Sequence, residues 1–348
     1  MNIRRFKLIA ALLPGLMLTL CSTSCVHQFP DMDELDHNVY IHVLQETEWL
    51  EPDYEMTLSR SGGTDDLEIR YDFRVYHAGK TSGPVREFSV YSNDMRRQDF
   101  YTSLALNPGD YDLYVWSDYA ETSTGDPLFY DDADFSHISY IKPYMGDTDL
   151  RDTFRGMTSF SVKASYSNVD KVEAEVTLRR PMARYKFIAT DLADFIDRET
   201  TRGMLMAPEN QADLETSPEK SPQYAKLSDY RIKIIYPMYM PAVFDNFQNN
   251  PIDSWTGVSF ECSMKQLNQD EAQLGMDYVY VNGEESGVQI MLEVYDPAGM
   301  LIARTNTLTV PTKRNRTTLI FGKFLTTLRN DGIGINPDFD GEFNIEIP

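Results

Sequence analysis

The chain has 348 residues, of which 42% are hydrophobic and 12% aromatic, and its 54 Asp and Glu against 32 Lys and Arg give a formal net charge of −22. That length suffices for two domains, and so acidic a surface argues against nucleic acid as a partner and against direct binding to anionic lipid. With 21 tyrosines, the composition favours strands over helices.

In chain order, Met1–Lys7 is basic through Arg4, Arg5 and Lys7, and Leu8–Leu20 is apolar apart from Pro14, Gly15 and Thr19. The run is too short to span the ~30 Å core of a bilayer; a basic start before a short apolar run reads as a secretory signal. Next comes Cys21-Ser-Thr-Ser-Cys25. Small residues before a cysteine resemble the lipobox of bacterial lipoproteins, in which the signal is cut ahead of the cysteine and its sulfur takes diacylglycerol. Ser22, Thr23 and Ser24 suit that cut better than the Leu20 before Cys21, so cleavage is expected between Ser24 and Cys25, with Cys25 the lipidated residue. Ser22 departs from the usual Leu or Val, and the alternative is a secreted protein cut near Ser24. Acylation, including palmitate, contributes ~0.8 kcal/mol per buried CH₂, so two or three chains anchor a domain with no other apolar attachment. Only Cys262 is then left, so the mature chain forms no internal disulfide and rests on its core; Cys262, in Val-Ser-Phe-Glu-Cys-Ser-Met, is expected to be a small buried hydrophobe.

Residues 25–38, with Pro30 and the acidic run Asp31–Asp36, form the expected tether. From Val39 the pattern has period two: Val39–Leu44, Leu67–Tyr76, Arg86–Tyr91 and Tyr111–Tyr119 alternate apolar with polar. Ser61-Gly-Gly, His77-Ala-Gly-Lys and Asn107-Pro-Gly-Asp supply turns between them. This spacing predicts a β-sandwich over 39–168, with an acidic loop of weak strands at Asp126–Asp152. A second unit, 169–348, begins with Val172–Thr190, read as two strands around Pro181 or one strand with a bulge there. Asp191–Asp197 suggests a short helix and Thr200–Ser228 a long exposed loop. Strands are expected at Tyr230–Tyr236, Gly257–Cys262, Asp277–Val281, Gly287–Asp296, Arg304–Val310, Arg316–Leu325 and Phe343–Pro348.

Catalytic chemistry has no constellation to rest on. His27, His37, His42, His77 and His137 are scattered, and no Gly-x-Ser-x-Gly or paired cysteine occurs; no catalytic residue, metal or cofactor is expected. Asn336-Pro-Asp-Phe-Asp-Gly-Glu has the oxygens of a calcium loop but Ile347 at the twelfth position, where a bidentate Glu is needed, so a polar turn is expected. Asp131-Asp-Ala-Asp134 reads as a solvated loop. Arg179, Arg180 and Arg184 suggest structural ion pairs with Glu173, Glu175 or acidic loops. Trp49, Trp116 and Trp255 suit either a sandwich core or a glycan groove.

Three stretches carry a further resemblance. Leu178-Arg-Arg-Pro-Met-Ala-Arg-Tyr-Lys-Phe, Val310-Pro-Thr-Lys-Arg-Asn-Arg-Thr-Thr-Leu-Ile-Phe-Gly-Lys-Phe-Leu-Thr and Gly332-Ile-Gly-Ile-Asn-Pro-Asp-Phe-Asp-Gly-Glu-Phe-Asn-Ile resemble, in order and spacing, segments of the fimbrillin-type proteins of Bacteroidales. With the lipobox and Val26-His-Gln-Phe-Pro, they look most like the lipoprotein fimbrial anchor and minor-subunit (FimB-type) group. The resemblance implies two tandem transthyretin-like β-sandwiches on an outer-membrane, surface-exposed lipoprotein. It also implies fimbrial partners joined by strand insertion, in which a partner's strand supplies backbone hydrogen bonds and side chains to an open groove. Major subunits of that family are cut after an arginine near the mature N-terminus; Arg60 is the candidate here, whereas anchors of the family keep their N-terminal strand. The alternative function is a surface glycan- or protein-binding lipoprotein outside any pilus.

Overall fold

The computed structural model describes residues 37–47, 67–94, 99–164, 171–203, 225–326 and 344–347. In chain order the first strands are β1 (Val39–Gln45), β2 (Leu67–His77), β3 (Arg86–Ser92), β4 (Asp99–Leu104) and β5 (Gly109–Glu121). The short β6 (Tyr130–Asp131) and β7 (Ile138–Tyr140) follow, then β8 (Phe154–Val162) and β9 (Val172–Leu178). A three-stranded sheet, β4-β1-β9, packs on a four-stranded sheet, β3-β2-β5-β8. Between them lies an apolar core including Val39, Ile41, Val43, Phe73, Val115 and Leu178. In β1 buried residues alternate with half-buried ones, as period-two patterning requires of a strand with one face on a core.

The rest of the chain comprises β10 (Met182–Ala189), helix α1 (Leu192–Thr201), β11 (Arg231–Ile235), β12 (Tyr239–Asp245), β13 (Asn250–Thr256), β14 (Ser259–Ser263) and β15 (Lys265–Gln266). It ends with β16 (Ala272–Tyr280), β17 (Glu285–Tyr295), β18 (Leu301–Arg304), β19 (Leu308–Lys313), β20 (Thr317–Gly322) and β21 (Asn344–Ile347). One sheet runs β15-β16-β10-β20-β21, a second β14-β11-β17-β18 with β19 on β17, and a third β13-β12-β7-β6. The second core gathers Tyr185, Phe187, Ile232, Ile234, Ile290 and Leu292, among others.

The molecule is thus an all-β protein of sandwiched sheets. Their common wall is β3-β2-β5-β8. Tyr71, Phe73, Leu113 and Val115 face the first core, whereas Tyr76, Tyr114 and Trp116, from the same two strands, face the second. Burial on both faces explains why eight consecutive residues of β5 are buried, a pattern of covered rather than half-exposed sheets. The chain also crosses between the cores: β6 and β7 pair in the β12 sheet, while β8 and β9 return to the first sandwich.

Pro181 separates two strands that join different sheets, β9 beside β1 and β10 between β16 and β20. The helix runs Leu192–Thr201, and Asp191 turns from it to accept the backbone N–H of Thr326 at 2.7 Å. Strands β12 and β13 have no counterpart in the sequence reading, because Pro241 and Pro251 interrupt their alternation and the β12–β13 register shifts twice; Pro is tolerated at such irregular or edge positions. Among the described residues no helix is long and apolar enough to cross a membrane.

Candidate functional site

The feature with the plainest capacity for assembly is the slot occupied by β1. The strand lies in the middle of its sheet, antiparallel to β4 over Val39↔Leu104 to Leu44↔Asp99 and parallel to β9 over Val39↔Val172 to Gln45↔Leu178. Val39, Ile41 and Val43 are fully buried; burial of such side chains stabilises by roughly 1.5–3 kcal/mol each. Asn38 pins the leading end: its buried amide donates to the Leu106 carbonyl and accepts the Leu106 N–H, both at 2.9 Å. Its backbone N–H donates to Leu104 at 3.2 Å and its carbonyl accepts from Val172 at 2.9 Å. Arg180 grips the trailing end, donating to the Thr47 carbonyl at 2.8 Å while pairing with Asp152 at 2.7 Å. On the solvent face His42 lies 2.8 Å from Asp99 and 3.4 Å from Glu175, stacked on Tyr101 at 4.4 Å. Chemically this is β-augmentation performed within one chain: backbone bonds on both edges and apolar pockets beneath.

A buried polar network ties residues 144–152 to the second sandwich. Arg151 pairs with Asp277 of β16 and donates to the Tyr144 hydroxyl. Its guanidinium lies over the rings of Tyr140 and Tyr144 at 4.5 and 4.3 Å. Tyr144 and Tyr236 each donate to Asp277 at 2.6 Å. Burial pushes the Asp277 carboxyl up, and Arg151 with the two hydroxyls pulls it back. Asp147, with φ 55°, accepts the Met276 N–H at 3.1 Å; burial pushes its carboxyl up to about 7, that hydrogen bond opposing, with Asp277 and Asp149 adding to the rise. A second cluster bridges the wall: Arg70 bonds Asp118 at 2.9 Å and Asp132 at 2.8 Å. There burial pushes Asp118 up to about 7 against the pull of Arg70.

Ser24, Cys25 and Arg60, and the Asn336–Glu342 turn, lie outside the described residues. The three arginines do form ion pairs: Arg180 and Arg184 with Asp152 and Asp149 of the acidic loop, as one of the two alternatives had it, and Arg179 with Glu46. The Asp131–Asp134 segment is not simply solvated, for Asp132 is buried on Arg70 because the β6–β7 hairpin folds onto the wall. Trp116 is a core residue, whereas Trp255 lies at the periphery beneath Lys142, 4.4 Å from its ring. Cys262 is buried beside Gly275, and burial pushes its thiol up. Among the described residues no three His, Cys, Asp or Glu side chains gather as a metal site. The sequence reading missed Asn38, Arg151 and Asp277; a lone carboxylate inside the apolar run of β16 was the one visible signal.

No curated protein matches the chain. Among solved structures it is similar to a protein proposed to be an adhesin from Bacteroides thetaiotaomicron, at 10% identity over 77% of this chain and 79% of that one, with a TM-score of 0.42. It is similar to the fimbrial anchor protein Mfa2 from Porphyromonas gingivalis, at 12% identity over 77% and 80% of the two chains, TM-score 0.37. A fimbrial assembly protein from Parabacteroides distasonis is 11% identical over 81% of this chain and 89% of that one, TM-score 0.37. One family covers nearly all of the chain, from residue 38 to residue 348. The protein belongs to that family, described as a family of unknown function, DUF6562.

Proposed function

We propose that this protein is a non-catalytic, surface-exposed lipoprotein of the outer membrane. In this reading it is a FimB-type fimbrial anchor or accessory subunit, held to the bilayer by diacylglycerol and palmitate on Cys25 and joined to other subunits by β-strand addition. The observation that carries the reading is β1: a strand next to the tether, central in its sheet, and pinned by Asn38 at one end and Arg180 at the other. Such a strand is built to be kept, as the resemblance implies for anchors. A cut after Arg60 would sever its covalent link to β2 while leaving these non-covalent bonds in place.

The test is to shear and purify surface fibres and probe them for this chain, with the Cys25→Ala variant alongside. The wild-type chain is expected to accompany the fibres, and the variant to lose palmitate incorporation and membrane attachment. A chain absent from fibres whose length is unchanged by its deletion would refute the fimbrial role. A Cys25→Ala variant that stays membrane-bound and takes up palmitate would refute the anchor.

A further inference from the structure

We propose that the parallel β1–β9 pair is a joint loaded in shear, through which tension arriving ahead of β1 passes into the second sandwich. The inference rests on the reading above only in placing the tether ahead of β1. Its geometry is that of the ladder alone.

Because the two strands run parallel, Val39 faces Val172 at one end and Gln45 faces Leu178 at the other. Tension enters β1 at Val39. It leaves β9 at Leu178, which continues through Arg179, Arg180 and Pro181 to Met182, the first residue of β10. At about 3.3 Å per residue the two points are separated by roughly the full length of the pair. Force therefore acts along the strands and falls on all seven rungs at once. Had it entered and left at the same end, the rungs would open one by one.

Slippage is opposed as well. A slip of one residue turns every side chain of a strand to the other face, which here would bring Val39, Ile41 and Val43, fully buried in the native register, out of the core. Asn38 fixes the loaded end to both neighbours, through Leu104 and Leu106 on the β4 side and Val172 on the β9 side. At the exit Arg180 reaches back to the Thr47 carbonyl and is itself tied to Asp152. Beyond the exit, β10 is buried along its whole length and paired on both edges, with β16 and β20, so the receiving strand is not a free edge.

Single-molecule pulling on the whole chain decides the matter. One handle is an amino-terminal tag. The second is a thiol at Arg179→Cys, which loads the pair from opposite ends, or at Lys171→Cys, which loads it from one end. Both positions are exposed, the native Cys262 is buried, and Cys21 and Cys25 are replaced by Ser so that the handle is the one accessible thiol. The first rupture is expected at a force at least about twofold higher through position 179 than through position 171, since forced opening is governed by the unfolding rate along the pulled direction. Asn38→Ala removes bonds at the end that is loaded in both geometries and is expected to lower both forces. Equal forces in the two geometries, or a first rupture that leaves β1 paired, would overturn the inference. Neither result bears on whether the chain accompanies fibres, so this test and the fibre test fail separately.

Discussion

At Asp147 one side chain meets two demands. The backbone stands in the left-handed region, which Asn and Asp tolerate better than most residues, and the side-chain oxygen must accept from Met276. Asn satisfies both and does not titrate. The native state holds the Asp147 proton up to about 7, above the ~3.9 of an unfolded chain, so its contribution is fully present below the lower value and lost as pH rises through the higher. Asp147→Asn is therefore expected to gain stability relative to the wild type from about pH 4 to about pH 8, read as the difference between their urea midpoints. Arg151 shows the opposite dependence on a partner. Arg151→Met leaves the Asp277 charge buried with only hydroxyl and backbone donors, and a loss of about 3–5 kcal/mol is expected. Adding Asp277→Asn should restore part of that in the same measurement, because the uncompensated charge is then gone.

At the scale of elements, β8 and β9 touch where side chains leave little space. A Cβ on Gly156 of β8 would meet the Leu178 side chain at 2.5 Å and that of Val176 at 2.7 Å. Both are core residues of β9, so they have no room to withdraw. Gly156→Ala is expected to cost about 1–3 kcal/mol, the usual range for overpacking a tight core, and denaturant unfolding checks it. The strands themselves were largely legible, because alternation reports which face of a strand is covered. Alternation does not report the neighbour. Nothing in Val172-Glu-Ala-Glu-Val-Thr-Leu says that its partner is β1, more than a hundred residues earlier, since a parallel pairing leaves no turn between partners to read. Strands β12 and β13 stayed hidden for a local reason, prolines and register shifts in place of alternation.

On the scale of the whole molecule, the two cores share the β3-β2-β5-β8 wall, and the β6–β7 hairpin and residues 144–152 bind structures on its far side. Heating is expected to give one cooperative transition, with calorimetric and van't Hoff enthalpies in agreement; two separated transitions would show that the wall does not couple the cores. The candidate site was only half legible from this vantage. The apolar positions of β1 stand out in the sequence, but its pinning does not: Asn38, Leu106, Arg180 and Thr47 are brought together by long-range folding, and no spacing rule links them.

The two-sided burial of β5 also bears on how such a chain can diverge over generations. Leu113 and Val115 answer to one core, and Tyr114 and Trp116 to the other. A single short stretch of gene therefore carries two interleaved inheritances, and a drift tolerated by one core is screened again by its neighbour one residue away. Recombination that traded one sandwich for a foreign one would have to carry half of β5's residues with it and leave the other half behind, which no crossover can do.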